Sequence, residues 1–391
     1  MLFRSSESDL APAVPTVTPD AARVAPGESI ELSLDLQNRT AADVSVEWQA
    51  PQLDEMRVHP DGGTLQVAAD ETVSQPVEVE VPADTPEGVY RVQFTATSAG
   101  GTQLPEAIAY LRVAPAVSVA VWPHEPILLQ DTAGDVQVQL TNNDTDVDHP
   151  AEVSLEVPDG WAVEPASTSV DVPPGETASA AFTVTPPVDA AGEHELAVTT
   201  TGEWGSHAHN LTANVSTKVA LAGAIDLDQS EFALAPNRYG DFRSTFSDGV
   251  DFTIGTDDPS AGWSYIHPGP DDGWAGSSQH TFTLRFTLDE VPEDDLALTA
   301  WLLDTHEDSP PTVDVAVNDG EATRTATPPG GGDGYHWGDD KPNDHYGVRP
   351  SVLDVTLPAD DLRAGENTVT ITNTAGSWMV YDAIGIRAAI G

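Results

Sequence analysis

Two loop-like stretches in the C-terminal part of the chain concentrate aromatic, imidazole, carboxylate and amide side chains. Aromatic rings pack against the C–H faces of sugars, and planar polar groups such as Asp, Asn and Arg bond sugar hydroxyls. We therefore predict that these stretches bind carbohydrate. The predicted ligand-binding residues are Trp263, Tyr265, His267, Trp274, Tyr335, His336, Trp337, Asn343, Asp344, His345, Tyr346 and Arg349.

The two stretches form one cleft if both lie at the same end of their domain. Trp274 and Trp337 are flanked by glycine and aspartate, and we expect their rings to be exposed. Trp301 and Trp378 stand within strand-like patterns, and we expect them in the core. The alternative is that the aromatic residues of the loops form a small core that holds the long loops down.

Catalysis is the second chemistry that these residues allow. His336 and His345 lie near Asp333 and Asp344, and such a set could act as general acid and base. The sequence contains no P-loop, HExxH, GxSxG or dinucleotide-binding motif. We assign no catalytic residue, and whether the chain is an enzyme stays open.

The elements that hold these stretches are predicted to be β-strands. Apolar and polar residues alternate over residues 282–288, 313–317 and 369–371, and a period of two is typical of a strand with one buried face. Long segments separate these strands, and loops of such length inside a compact domain are usually functional. The pattern predicts a β-sandwich over residues 219–391. The long segments are residues 248–280, 306–311 and 327–350.

The chain before residue 219 contains two copies of one unit. Asn38 and Asn142 are 104 residues apart, and so are the similar segments that begin at Pro86 and Ala190. Strand patterns punctuated by Pro and Gly recur in both copies, which indicates tandem β-sandwiches. The predicted domains are a disordered tail at 1–14, β-sandwiches at 15–115 and 116–218, and the C-terminal domain at 219–391.

The charge balance of the chain is extreme, with 64 Asp and Glu against 15 Lys and Arg and a formal net charge of −49. An acidic coat keeps a protein soluble in concentrated salt, where charges are screened over roughly 3 Å at 1 M. The composition resembles that of extremely halophilic archaea. The alternative is a coat that binds a cation or a basic partner. Nucleic acid is disfavoured as a partner because no basic stripe could neutralise phosphates.

The chain contains no cysteine, which excludes disulfides, thiolate catalysis and Cys-ligated zinc. Its first residues lack the apolar core of a signal peptide, and without a long apolar run we expect no membrane insertion. Four sequons suit an exported protein, so we expect an extracellular or cell-surface location in a halophile. One hypothesis is that the chain is the tail of a longer exported enzyme. The sequons are at Asn38, Asn143, Asn210 and Asn214.

Six segments of the C-terminal domain resemble, in the same order, domain III of the family 4 polysaccharide lyases, the rhamnogalacturonan lyases. The segments are IGTDDPSAGW, HTFTLRFTL, TVDVAVNDG, NDHYGVR, LRAGENTVTIT and MVYDAIGIR. The resemblance implies a galactose-binding-like jelly roll that binds carbohydrate, with a pectin-like polymer or a cell-surface glycan as the partner. The resemblance covers the C-terminal domain only. The catalytic domain of the lyases has no counterpart in this chain.

The second copy of the repeat resembles the Ig-like domains associated with α-galactosidases and with NPCBM carbohydrate-binding modules. The matching segments are VPDGW, VPPGET and AAGEHEL, whereas the first copy has LDEMRVHP in place of the first of them. Such domains are implied to be spacers or accessory units. The predicted fold class is all-β, with two tandem Ig-like β-sandwiches followed by a galactose-binding-like β-jelly roll.

Related jelly-roll modules also imply a metal site. They often hold a structural Ca²⁺ between the first strand and the last, which suggests Asp226 or Asp228 together with Asp382. Calcium prefers several oxygen ligands, and in a chain this acidic such a grouping can also arise by coincidence. No cofactor is required for the predicted binding function.

Three functions stay open at this point. The leading one is non-catalytic polysaccharide binding by the jelly roll, with the Ig-like domains as spacers, as an accessory part of a polysaccharide-degrading or cell-surface system. The first alternative is a structural or adhesive surface protein that binds another protein. The second is a polysaccharide lyase-like enzyme, which would need carboxylates, His or Arg converging in a deep cleft.

Overall fold

The computed structural model describes residues 11–53, 56–318, 320–331 and 348–389. Within these ranges the chain is built mainly from β-strands, and the predicted all-β fold class is confirmed. Across the same ranges, no helix has the length and hydropathy needed to cross a membrane. The helical elements described there are single turns, namely α1 (Phe242–Thr245), α2 (Pro259–Gly262) and 3-10 turns at Tyr239–Asp241 and Ala359–Asp361.

The first β-sandwich consists of two sheets. Its strands are β1 (Ala13–Thr18), β2 (Ala21–Val24), β3 (Ser29–Asn38), β4 (Val44–Gln49), β5 (Arg57–His59), β6 (Gly62–Val67), β7 (Thr72–Glu80), β8 (Gly88–Ser98) and β9 (Ala107–Val113). One sheet has the order β1-β3-β7-β5 and the other the order β2-β9-β8-β4-β6. Apolar side chains from both sheets, such as Leu34 and Phe94, form one core.

The second β-sandwich repeats this arrangement strand for strand. Its strands are β10 (Val117–Trp122), β11 (Ile127–Leu129), β12 (Gly134–Asn142), β13 (Ala151–Glu156), β14 (Ala162–Glu164), β15 (Ser167–Val170), β16 (Thr177–Thr185), β17 (Gly192–Gly202) and β18 (Gly205–Ser216). The sheet orders are β10-β12-β16-β14 and β11-β18-β17-β13-β15. Even the parallel pair at the sheet edge recurs, as β2 with β9 and β11 with β18. The prediction of two copies of one sandwich is therefore confirmed.

Asn38 and Asn142, which the repeat aligns, have the same structural role. Both side chains are buried at the end of a strand. The Asn38 amide donates to the carbonyl oxygens of Ala42 at 2.8 Å and Ala68 at 3.0 Å. The Asn142 amide donates to the carbonyl oxygen of Val147 at 2.7 Å. In each copy a buried amide closes the loop after the strand, which explains why the residue recurs at that spacing.

The C-terminal domain is a third sandwich, with two sheets. Its strands are β19 (Lys218–Gly223), β20 (Val250–Thr253), β21 (Ile266–Pro268), β22 (His280–Leu288), β23 (Leu296–Thr305), β24 (Thr312–Val317), β25 (Thr323–Ala326), β26 (Ser351–Leu357), β27 (Gly365–Ala375) and β28 (Trp378–Ala388). One sheet has the order β19-β28-β23-β26, with β21 also paired to β28, and the other has the order β20-β22-β27-β24-β25.

The strand patterns predicted from alternation are confirmed in this domain. In β22 the side chains of Phe282, Leu284 and Phe286 are buried, while the residues between them are more accessible. The same holds for the valines of β24. This two-residue period places one face of each strand in the core of the jelly roll.

β23 and β28 differ from the other strands because every residue of β23, and all but the last residue of β28, is buried. One face of their sheet covers the core of the C-terminal domain, and the second β-sandwich covers part of the other face. Ile127 and Leu129 of β11 cluster there with Trp301 and Ala383. The Trp301 indole N–H donates to the Ile127 carbonyl oxygen at 2.7 Å. Burial on both faces accounts for the nearly continuous apolar sequence of these two strands.

The chain divides into two compact units. The first comprises Met1–Ser118, Thr141–Asp148 and Pro173–Glu176, and the second comprises Val119–Leu140, His149–Val172 and Thr177–Gly391. The second unit thus holds most of the second β-sandwich together with the C-terminal domain. The domain limits drawn from the sequence, at residues 115 and 218, stay a prediction.

Candidate functional site

Three loop segments of the C-terminal domain meet at one end of its sandwich. They are residues 269–279, residues 306–311 and the described flanks of residues 327–350. The Asp271 N–H donates to the Gly376 carbonyl oxygen at 3.0 Å, and the Asp271 carboxylate accepts from the Ser309 hydroxyl at 2.7 Å. The Thr327 N–H donates to the Pro311 carbonyl oxygen at 2.9 Å. The described parts of the long segments therefore share one end of the domain.

Two glycines allow the loops to pack this closely. A Cβ atom on Gly269 would lie 2.6 Å from the side-chain amide of Asn373 and from the Gly376 carbonyl oxygen. A Cβ atom on Gly330 would overlap the carbonyl oxygen of Thr305. Any larger residue at either position would push its loop away from the strand ends.

Asp304, near the end of β23, fixes the third segment. Its side chain is buried, and Oδ1 accepts hydrogen bonds from the backbone N–H groups of Gly331 at 2.8 Å and Arg349 at 3.3 Å. Burial raises the pKa of Asp304 to about 6, although these hydrogen bonds and the Arg349 charge oppose the rise. One carboxylate thus holds both described flanks of the loop. The sequence analysis did not identify this role of Asp304. The feature that could have indicated it is a single carboxylate within the apolar sequence of β23.

Trp274, at this end of the domain, is an exposed aromatic residue with 77% of its surface accessible. The buried Asp272 carboxylate fixes the loop below it, because Oδ1 accepts from the Trp274 N–H at 2.9 Å and Oδ2 accepts from the Tyr239 hydroxyl. The Ser277 N–H donates to the Asp272 carbonyl oxygen at 2.8 Å. The exposure predicted for Trp274 is therefore observed, and its backbone is held in place.

Polar side chains surround the Trp274 loop. The Arg243 guanidinium lies against Gly276, where it would approach a Cβ atom to 3.3 Å. The exposed Ser278 hydroxyl and the His280 ring nitrogen are 3.2 Å apart. Burial lowers the pKa of His280, which keeps the imidazole uncharged at neutral pH. Arg243 lies in the short helix α1, remote in sequence from the loop, so no local pattern indicates its position.

The structure corrects the expectation for Trp263, Tyr265 and His267, whose side chains are buried in the core. The His267 ring stacks on Phe282 with a centroid distance of 3.7 Å. Its Nε2–H donates to the His280 carbonyl oxygen at 2.9 Å, and its Nδ1 accepts from the Tyr381 hydroxyl at 2.9 Å. Complete burial lowers the pKa of His267 to about 3, so the ring is neutral. These three side chains support the loops from inside and do not line a surface.

The remaining predicted residues fall into three groups. Arg349 is exposed, and its guanidinium donates to the Gly330 carbonyl oxygen at 3.2 Å. Trp301 and Trp378, expected in the core, are buried. The predicted ligand-binding residues that lie outside the described part of the chain are Tyr335, His336, Trp337, Asn343, Asp344, His345 and Tyr346.

The three aspartates predicted to bind calcium are close together. The buried Asp382 Oδ1 accepts from the backbone N–H groups of Asp228 at 3.1 Å and Asp226 at 3.4 Å. Burial, reinforced by the Asp226 charge, raises the pKa of Asp382 well above its usual range. Partial burial, reinforced by the charge of Glu231, raises the pKa of Asp226 to about 6. Full ionisation of the carboxyl groups at this site is therefore unfavourable.

The polar groups around Asp382 meet only some of the requirements of a cation site. The buried side-chain amide of Gln229 and one carboxylate oxygen of Glu231 have no hydrogen-bond partner among the described residues. Within that part of the chain, however, no group of three or more His, Cys, Asp or Glu side chains is arranged to hold a metal ion. The calcium site therefore stays a prediction.

Two family models match the chain in the regions where the sequence suggested them. Residues 221–386 match the carbohydrate-binding-module-like model of polysaccharide lyase family 4, domain III. Residues 129–202 match the model of the NPCBM-associated, NEW3 domain of alpha-galactosidase. Carbohydrate-binding-like domains are thus present in the chain, and both suspected resemblances are confirmed in these ranges. No curated protein sequence matches the chain.

Solved structures match parts of the chain at low identity and low TM-score. An MSP family member from Caenorhabditis elegans is 15% identical over 26% of this chain and 98% of its own, with a TM-score of 0.20. A FixG-related protein from Vibrio parahaemolyticus is 16% identical over 27% and 98%, with a TM-score of 0.23. A protein of unknown function from Porphyromonas gingivalis is 13% identical over 52% and 100%, with a TM-score of 0.22. Similarity at this level carries no functional argument.

We predict that Asp304→Asn removes one pH-dependent contribution to stability. The folded-state pKa of Asp304, about 6, lies above the usual value for Asp, so the native state binds this proton more tightly than the unfolded chain. The parent should therefore gain about 1 kcal/mol relative to the variant as the pH falls from about 7 to about 5. Denaturant titration at both pH values measures the difference.

Asp308→Asn, at an exposed carboxylate of the neighbouring loop, serves as the control, and its stability relative to the parent should not change in this window. A gap between the parent and Asp304→Asn that stays constant with pH would show that burial of Asp304 does not raise its pKa.

The calcium prediction has a direct thermal test. If Ca²⁺ neutralises the charge around Asp382, millimolar CaCl₂ should raise the Tm of the parent more than MgCl₂ at equal ionic strength. Asp382→Asn should abolish that difference, whereas Asp360→Asn, at an exposed carboxylate, should preserve it. Equal Tm values in calcium and magnesium would rule out the site.

Proposed function

We propose that the chain is a non-catalytic polysaccharide-binding protein whose C-terminal jelly roll presents the binding surface. The observation that carries this proposal is the exposed Trp274 indole on a loop fixed from below by Asp272. The Trp274 indole lies at the end of a domain that matches a carbohydrate-binding-module-like family model. The match supplies the ligand class, and the exposed ring supplies a surface for it.

The physical reason is the match between a sugar and this surface. A Trp ring held on a fixed backbone loses little conformational entropy when an apolar sugar face packs on it. Arg243, against Gly276, and Asp271, in the same loop as Trp274, offer a guanidinium and a carboxylate to the sugar hydroxyls. Trp337 lies outside the described residues and stays a predicted second platform.

We propose a pectin-like polymer or a cell-surface glycan as the ligand, and an accessory role in a polysaccharide-degrading or cell-surface system. The two Ig-like sandwiches act as spacers in this proposal, in keeping with the family model matched by residues 129–202. The acidic composition and the sequons support a location outside the cell of a halophile, where molar salt screens the charge of the chain.

We predict that Trp274→Ala weakens polysaccharide binding at least about tenfold, the typical loss for a central aromatic contact residue. Affinity electrophoresis in molar salt, with rhamnogalacturonan, pectin, arabinogalactan and halophile cell-surface glycan in the gel, measures the retardation of parent and variant. Because the ring is exposed, the variant should keep the Tm of the parent.

Val291→Ala removes a different exposed apolar side chain of the same domain and should bind like the parent. Retardation that is identical in the parent and Trp274→Ala would contradict the proposed surface. Failure of the parent to bind any polymer would favour the protein-binding alternative, and release of unsaturated oligosaccharides would favour the lyase alternative.

A further inference from the structure

A cleft lies within the second compact unit, and none of the residues of the Trp274 loop lines it. It has a volume of about 450 Å³, which is within the range of small-molecule sites. One wall is formed where β10 connects to β11 in the second sandwich, by Trp122, Pro123, His124, Glu125 and Ile127. The outer face of the sheet that contains β23, β26 and β28 forms the other wall. The cleft is therefore built by two domains whose contact is packed around Trp301.

An aromatic pair forms the first wall of the cleft. The rings of Trp122 and His124 are 4.0 Å apart between centroids. The half-buried Trp122 donates its indole N–H to Gln139 Oε1 at 3.2 Å, and Gln139 Nε2 donates to the Val348 carbonyl oxygen at 2.9 Å. The indole is thus fixed to both domains, and its orientation does not depend on a ligand.

A hydrogen-bonded network of charged and polar groups forms the opposite wall. Arg387 is buried, and its guanidinium donates to Asp354 Oδ2 at 2.5 Å and to the Thr299 hydroxyl at 2.8 Å. The Thr299 hydroxyl donates to Asp354 Oδ1 at 2.6 Å. The Asp354 carboxylate is partly exposed, so its remaining acceptor capacity faces the cleft in a fixed position.

Ser351, at the start of β26, adds an unused polar group. It lines the cleft, and its Oγ is buried without a hydrogen-bond partner among the described residues. A buried hydroxyl without a partner costs free energy, and rotation of the Ser351 side chain toward a ligand hydroxyl in the cleft would remove that cost. The site thus combines an aromatic wall, a fixed acceptor and an unsatisfied hydroxyl.

The charge of the cleft selects against anions. Glu125 and Asp354 contribute two carboxylates, and the single guanidinium, Arg387, is already paired with Asp354. Burial and the charge of His209 lower the pKa of His124, so this ring adds no positive charge at neutral pH. A uronate, sulfate or phosphate group would meet uncompensated negative charge here.

We propose that this interdomain cleft is a second saccharide site, which binds an uncharged sugar unit between Trp122 and the Asp354–Arg387 wall. The sugar's apolar face packs on the indole, and its hydroxyls bond Asp354 and Ser351. The second Ig-like sandwich is then part of a binding site as well as a spacer. This proposal does not depend on the Trp274 surface.

Isothermal titration calorimetry on the full chain in molar salt tests the proposal. The probes are the neutral trisaccharides galactotriose, cellotriose and mannotriose, with trigalacturonate as the acidic counterpart. At least one neutral trisaccharide should bind, and trigalacturonate should bind at least tenfold more weakly. Trp122→Ala should weaken binding of the neutral trisaccharide at least tenfold. Ser351→Ala should weaken it about fivefold and keep the Tm of the parent.

Trp161→Ala is the matched control, because Trp161 is a half-buried tryptophan of the same sandwich that packs on a histidine, His194, at 5.0 Å and does not line the cleft. It should bind like the parent. Equal weakening by Trp161→Ala and Trp122→Ala, tighter binding of trigalacturonate, or no binding of any neutral trisaccharide by the parent would overturn the proposal.

Trp274→Ala separates this site from the surface proposed above. It should leave the trisaccharide affinity of the cleft unchanged while it weakens binding to polymer. If Trp274→Ala loses trisaccharide binding while Trp122→Ala binds normally, the cleft is not a saccharide site and the loop surface is.

Discussion

The burial of β23 and β28 on both faces is the constraint on which the C-terminal half of the protein depends. One face of their sheet closes the core of the jelly roll, and part of the other packs against the second Ig-like sandwich through Trp301. Apolar side chains on both faces leave such a sheet little freedom to slide or tilt. The loops at the ends of these strands therefore start from fixed positions.

Buried carboxylates hold the loops at these strand ends in place through hydrogen bonds to the loop backbone. Asp304 accepts from both flanks of the third segment, and Asp272 holds the turn below Trp274. Each carboxylate is removed from water and is stabilised mainly by backbone N–H or hydroxyl donors. In a chain with this excess of acidic residues, the few carboxylates inside have a structural role that the exposed coat does not share. The exposed Trp274 ring is a consequence of that arrangement.

The sequence predicted the strands and the repeat because alternation and turn residues are local signals. It also predicted the exposure of Trp274, which glycine and aspartate flank. It did not place Trp263, Tyr265 and His267 in the core, because whether a loop aromatic residue points inward depends on packing against distant strands such as β22. For the same reason Arg243 and the Trp122 wall had no sequence signature, since their partners lie far along the chain.

Hydrogen–deuterium exchange of the full chain, with and without bound polysaccharide, tests whether the loop end of the jelly roll is the binding surface. If it is, saturating polymer should slow amide exchange in residues 270–279 and 306–311 more than in the first Ig-like sandwich. Bound polymer that leaves exchange in both of these segments unchanged would contradict it.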